Sequence, residues 1–130
     1  MIQRNTATIF PAGIKKAFDG GICTDPVYLA LHNDTPTTTE THELREVTYT
    51  RQTIEPTDWE INEITGARHN TKKIVFNGDT HLWDIAKYWS LNTAETGGEL
   101  LLADQLLVEI NINEIDKNIE FQPGAFLLGF

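Results

Sequence analysis

Four histidines, one cysteine and a spread of aspartates are the side chains through which this 130-residue chain could do chemistry. A metal centre needs three or four ligands brought together at suitable spacing. His32, His42, His69 and His81 form neither a His-x-His nor a His-Glu-x-x-His pattern, and each falls in a different predicted element. Asp79, Thr80, His81 and Asp84 put two carboxylates near an imidazole, but a loop whose Asp and Thr satisfy backbone groups accounts for the same residues. Cys23 is alone, so neither an intramolecular disulfide nor a thiolate cage can form. Its position just ahead of a strand reads as a buried, inert thiol. Asp25, Asp34, Asp58, Asp79 and Asp104 sit close to strand ends, whereas a glycosidase needs two carboxylates facing each other at a defined separation. There is no nucleophile elbow, phosphate loop, dinucleotide fingerprint or calcium loop. The expectation is a protein that is not an enzyme, with no catalytic residues, no cofactor and no metal.

The aromatic residues offer another kind of chemistry. Trp59, Trp83, Tyr88 and Trp89 could stack on a sugar ring, and large aromatics also build β-sandwich cores and protein interfaces. Trp83, Ile85, Trp89 and Leu91 share one parity, broken only by Lys87, so a strand turns them to one face. That assigns Trp83 and Trp89 to the core. Tyr88 falls on the opposite face with Asp84, Ala86 and Ser90, which makes it a candidate for exposed contact.

These residues must be held by short strands. Val27–His32 is bounded by Pro26 and by Asn33-Asp34, and Val47–Ile54 is rich in β-formers and stopped by Pro56. Trp59–Ile64 alternates before Thr65-Gly66, and Lys73–Asn77 follows. The strand through Trp83–Leu91 reverses at Gly97-Gly98 into Glu99–Leu102, a wide hairpin. Leu106–Asn113 alternates strictly at Val108, Ile110 and Ile112. Asp116-Lys117-Asn118 turns the chain, Gln122-Pro123-Gly124 kinks it, and the apolar tail 125–130 should be paired or buried. Ahead of these, 1–8 reads as an extended arm. Phe10, Ile14, Ala17 and Phe18 recur at helical spacing, with Pro11 in the first turn and Gly20-Gly21 as the stop. The Thr-rich 35–42 segment reads as an exposed, mobile loop. About eight strands with no internal repeat predict one all-β domain over 1–130, comprising an antiparallel β-sandwich over 26–130 and an arm with a short helix over 1–20.

Nineteen acidic against ten basic residues leave a net charge of −9, and the only basic pairs are Lys15-Lys16 and Lys72-Lys73. That argues against nucleic acid as a partner. The longest apolar run, Leu100 to Val108, is broken by Asp104 and Gln105, which argues against a membrane span. The first residues lack a secretory pattern, so synthesis and assembly are expected in a cytoplasm.

Val27–His32, then Tyr49-Thr50-Arg51-Gln52, then Ile74-Val75-Phe76, then the Trp83–Leu91 strand leading to Gly97-Gly98-Glu99-Leu100-Leu101, is similar to a family of small structural proteins of tailed bacteriophages. The family spans tail-fibre proteins and capsid decoration (cement) proteins, and the resemblance covers roughly residues 26–130. It implies a β-sandwich virion component without catalytic residues. The expected placement is on the outer head as a cement protein, bound to the major capsid protein and to copies of itself. Ile2, Ile9, Phe10, Ile14 and Phe18 of the arm and helix would supply the contacts. The alternative is a tail-tip or tail-fibre-associated protein that touches tail proteins and a host receptor or glycan, through Tyr88 or the Thr-rich loop.

Overall fold

The computed structural model describes residues 8–18, 21–46, 48–77, 83–110 and 119–128. Ten strands, one α-helix and two short 3-10 helices (Ile22–Thr24 and Pro56–Asp58) are present among them: β1 (Thr8–Ile9), α1 (Pro11–Phe18), β2 (Val27–His32), β3 (Gln52–Ile54), β4 (Trp59–Ile61), β5 (Arg68–Asn70), β6 (Ile74–Phe76), β7 (Ala86–Asn92), β8 (Leu100–Ile110), β9 (Ile119–Phe121) and β10 (Leu127–Leu128). All pairings are antiparallel. One layer is a five-stranded sheet in the order β1-β8-β7-β2-β3. The other is divided between a three-stranded sheet, β10-β5-β4, and the pair β6-β9.

Register decides which side chains meet the second layer. Leu29 lies opposite Leu91, Leu31 opposite Trp89, and Leu91 opposite Leu102, so these five share one face of the large sheet. All are fully buried. A chain of ring contacts carries that face across to the small sheets. Trp89 meets Phe126 edge-on at 5.1 Å, Phe126 meets Phe121 at 5.0 Å, and Phe121 meets Phe76 at 6.3 Å. Phe76 then meets Tyr49 and Trp83. Offset and edge-to-face geometries at these separations add roughly 0.5–1.5 kcal/mol per pair beyond area burial. Trp83 and Trp89 are both core residues, Trp89 on the face its parity predicts and Trp83 ahead of β7, which begins only at Ala86. Lys87, which breaks that parity, falls where the β7–β8 ladder is irregular, between Ala86 and Tyr88.

Several elements differ from the sequence reading for physical reasons. Among the described residues of the strand expected over 47–54, only Gln52–Ile54 form one, because Tyr49 and Arg51 turn away to make side-chain contacts. The segments Glu99–Leu102 and Leu106–Asn113, expected as separate strands, are joined through Asp104 and Gln105 in β8. β8 continues through them, with Asp104 opposite Trp89 and Gln105 opposite Tyr88. Arg68–Asn70 is a strand that its polar composition hides. It is held between β4 and β10, and the tail strand β10 is paired, as its apolar character requires. The turn at 116–118 lies outside the described residues.

Thr8 and Ile9, at the end of the expected arm, form an edge strand against Ala103 and Leu102. From there Phe10 donates its N–H to the Leu101 carbonyl at 3.0 Å and α1 begins. Gly13 brings α1 onto β8. A Cβ at that position would stand 2.3 Å from the Leu101 carbonyl oxygen and 3.0 Å from Ile9 Cγ1. Helix propensity alone makes Gly→Ala favourable by about 1 kcal/mol. Here the contact is with backbone and cannot yield, so Gly13→Ala is expected to destabilise the protein by about 1–3 kcal/mol. The urea midpoint of unfolding reads the sign, and a raised midpoint would mean that α1 does not press on β8.

Candidate functional site

The most informative arrangement lies where β2 loses its neighbour. β3 pairs with β2 only from Val27 to Leu29. Beyond that, the same edge is taken up by residues 42–44, with Leu44 N–H to Leu31 O and Asn33 N–H to His42 O, both at 3.0 Å, and a bridge between His32 and Glu43. The joint leaves the Leu31 N–H without a backbone partner. The Tyr49 hydroxyl accepts it at 3.0 Å and donates to Glu43 Oε2 at 2.6 Å. Arg51 completes the clasp. Its Nε and Nη2 hold the two Glu43 oxygens at 2.9 and 2.8 Å, and Nη1 donates to the carbonyls of Ala94 and Gly97 in the β7–β8 turn. Only a planar fork can bind a carboxylate in bidentate fashion and still reach two carbonyls. Burial works against the Glu43 charge, but the bonds from Arg51 and Tyr49 outweigh it and hold the carboxyl below its ordinary range.

On the face of the sheet away from the aromatic core, a second network is enclosed. His32 Nδ1 meets the Thr41 carbonyl at 2.7 Å, and Nε2 meets Ser90 Oγ at 2.7 Å. A carbonyl can only accept, so Nδ1 carries the proton and Nε2 accepts from the Ser90 hydroxyl. Asn92 Nδ2 in turn donates to Ser90 Oγ at 2.8 Å and to the Tyr28 carbonyl. Ser90 is completely buried and His32 and Asn92 nearly so. Burial holds the imidazole below its ordinary pKa, ahead of smaller opposing effects from Thr41 and Glu43.

The clasp and this network together place the Thr-rich loop. It is exposed along most of its length, but Pro36 is buried, and Thr37 bonds both the N–H and the carbonyl of Glu40. The loop faces the first turn of α1 across a groove of about 420 Å³. Phe10, Pro11, Ala12 and Leu100 give it apolar surface, and Thr37, Thr38, Thr41 and Asn92 give it polar groups. Gly97, Gly98 and Glu99 close one end, with Glu43 and Arg51 beneath. Gly98, at φ +71°, lets the turn fold tightly, since a Cβ there would meet Thr93 and Ala94 within 2.8 Å. A wider hollow of about 520 Å³ lies beside Asn33, His42 and Glu46, where the polar groups already bond one another: Asn33 to Asp84, and Glu46 to the N–H groups of Asp84 and Arg45.

The residues singled out from sequence are distributed unevenly around this site. Phe10 lines the groove, half-buried. Ile9 packs on the core, and Ile14 stands 44% exposed on α1. Tyr88 is half-buried opposite His32 and Gln105, on a face whose neighbours Ala86 and Ser90 are closed off from solvent. Ile2 lies outside the described residues, as does the Phe18 side chain. Asp79, Thr80 and His81 do so as well. Among the described residues no three His, Cys, Asp or Glu side chains are grouped to hold a metal ion. Cys23 is buried, and desolvation, opposed by Arg68, pushes its pKa up to about 11. His32 is singled out from sequence only as one of four separate histidines, and Glu43, Ser90 and Asn92 are not singled out as a site. The signals for them were the Tyr-x-Arg-Gln step and the polar residues alternating with core residues in β7.

Two outcomes follow from this geometry. Replacing Arg51 by Met leaves Glu43 without its cation. The expected loss is about 2–3 kcal/mol, somewhat below that of a fully buried pair because Glu43 keeps some contact with water; a urea midpoint unchanged from the native chain would show the clasp to be dispensable. The second concerns pH. His32 has a folded pKa below its ordinary 6.5, so the unfolded chain takes up the proton first. Its contribution is complete above pH about 6.5 and lost as pH falls below that value. Glu43, lowered from 4.5, adds a second loss as pH falls through its folded value. Melting temperature should therefore be level from pH 8 to 7 and fall below about 6.5, with the first part of the fall absent in His32→Gln. A rise on acidification from pH 7 to 5 would contradict the buried neutral imidazole.

No helix among the described residues is long and apolar enough to cross a membrane. No curated protein matches the chain. The sequence model of a family described as "Podophage GP4 fiber I protein gp80" matches residues 10–128, which takes in α1, both layers of sheet and the groove. The match supports a phage structural protein of the fibre kind, and so a virion component, over the more specific reading of a capsid decoration protein. By that match over nearly its whole length, the chain belongs to the podophage GP4 fiber I protein gp80 family.

Proposed function

We propose that this protein is a non-enzymatic component of a podophage fibre that contributes to contact with the host surface. The observation that carries this reading is the family match across residues 10–128. The fold is consistent with it. The five-stranded sheet is covered on both faces at its centre, so the strands form a stiff body, and the groove, the Thr-rich loop and the β7–β8 turn gather on it. The one serine–histidine pair is enclosed, with every polar atom at its centre engaged, which supports a structural role rather than acyl transfer. The proposed partners are other fibre proteins on one side and the host envelope on the other, with neither nucleic acid nor membrane required.

Immunogold labelling of intact virions with antibody against the folded chain distinguishes this from the head-shell placement. Gold is expected on the fibres. Gold spread over the capsid faces would overturn the proposal in favour of a cement protein bound to the major capsid protein.

A further inference from the structure

We propose that the groove between the first turn of α1 and the Thr-rich loop binds a neutral sugar residue of a surface polysaccharide. The inference rests on the fibre reading for its biological setting, and on the groove itself for its chemistry. A volume of about 420 Å³ lies within the roughly 300–1,000 Å³ of small-ligand sites. Its two sides are chemically unlike. Phe10, Pro11, Ala12 and Leu100 offer C–H and ring surface, and the hydroxyl-bearing Thr37, Thr38 and Thr41 line the groove as well. A pyranose has the same division, with apolar ring C–H groups on its faces and hydroxyls around its rim. The Thr37 hydroxyl is occupied by Glu40, but those of Thr38 and Thr41 make no hydrogen bond with the described residues and remain free for a ligand.

Charge narrows the class further. Among the described residues Arg51 is the sole cationic side chain lining the groove, and four of its five N–H groups are spent on Glu43, Ala94 and Gly97. Glu99 adds a carboxylate at the rim, within a chain of net charge −9. A sialylated, sulfated or phosphorylated ligand would enter against that field without a free cation to receive it. A peptide added as a strand needs an open sheet edge beside the groove. Here the edge of β2 is occupied by residues 42–44 and that of β8 by β1. A neutral polyol satisfies both conditions.

The test applies the full-length protein to a printed array of neutral hexose and N-acetylhexosamine oligosaccharides together with sialylated and sulfated ones, followed by calorimetry with the best neutral oligosaccharide. Thr38→Val with Thr41→Val removes the two free hydroxyls at nearly constant volume. Binding should weaken by about tenfold or more, as expected for two lost hydrogen bonds. Thr57→Val, exposed in the 3-10 helix Pro56–Asp58 outside the groove, should bind as the native chain does. If the double variant melts early, Thr38→Trp, which fills the groove from an exposed position, is read in its place and should abolish binding. The inference is overturned if no neutral oligosaccharide binds, if only acidic ones do, or if the groove variants bind undiminished. Virions labelled on their fibres by a protein that ignores every neutral glycan would refute the groove alone. Virions labelled on the head by a protein whose groove still binds would refute the fibre placement alone.

Discussion

The fold depends on how β2 shares one edge between two segments. A strand buried on both faces cannot leave N–H groups unpaired, because each buried orphan costs on the order of 1–3 kcal/mol. β3 covers the first half of that edge and residues 42–44 the second, and one N–H falls at the seam between them. The Tyr49 hydroxyl fills the seam, and the Glu43 carboxylate receives the Tyr49 proton. Arg51 neutralises that carboxylate and ties it to the β7–β8 turn. Local pairing, loop position and turn position are thereby one cooperative arrangement, and the Thr-rich loop cannot swing without breaking a charge-assisted bond.

The second consequence is a sheet whose two faces are both enclosed but by different chemistry. One face is a run of leucines and aromatic rings in edge contact. The other pairs Ala30 with Ser90, and Tyr28 with Asn92, beneath a loop fixed through the Thr41 carbonyl. Polar atoms on that face tolerate burial because each bond from His32 through Ser90 to Asn92 runs donor to acceptor without a mismatch. A polar layer of this kind specifies register more sharply than an apolar one. A slip of one residue would bring Leu91 and Trp89 onto the loop side and leave Ser90 among the phenylalanines.

Much of this was legible beforehand where pattern and burial coincide. β2 is recognisable because apolar residues fall on both parities, and the extent of α1 because Pro11 begins it at helical spacing. The burial of Trp89 follows from its shared parity with Leu91 in β7. What escaped was set by side chains acting at a distance in sequence. Glu43 and Arg51 are eight residues apart, and Arg51 is forty-three from Ala94, so no local rule joins them. Propensity reads Val47–Ile54 as one strand, whereas Tyr49 and Arg51 are drawn out of it by the seam in β2. β5 escaped for the opposite reason: Arg68 and His69 look like turn residues, and only pairing on both sides makes them a strand. The groove is half legible: the Thr-rich segment is visible as a loop, but its partner wall, Phe10 to Ala12, reads in sequence as the start of a short helix with Phe10 as a docking contact.

The same accounting of donors and acceptors separates what holds the structure from what remains available to a partner. In the clasp, the hydroxyl of Tyr49, both oxygens of Glu43 and most of the Arg51 fork are consumed internally. In the layer beneath, the imidazole nitrogens and the Ser90 hydroxyl are consumed as well. A group already bonded at 2.6–2.9 Å inside the protein gains little by exchanging that partner for a ligand, so neither network is suited to recognition. Capacity persists where the backbone has been fixed by those networks but the side chains have not. That condition holds at Thr38 and Thr41, whose loop is held through Glu43, the Thr41 carbonyl and the Thr37–Glu40 turn, while their own hydroxyls stay free. A rigid frame carrying unspent donors is what makes weak, reversible contact specific, because the ordering cost of the loop has been met before any partner arrives.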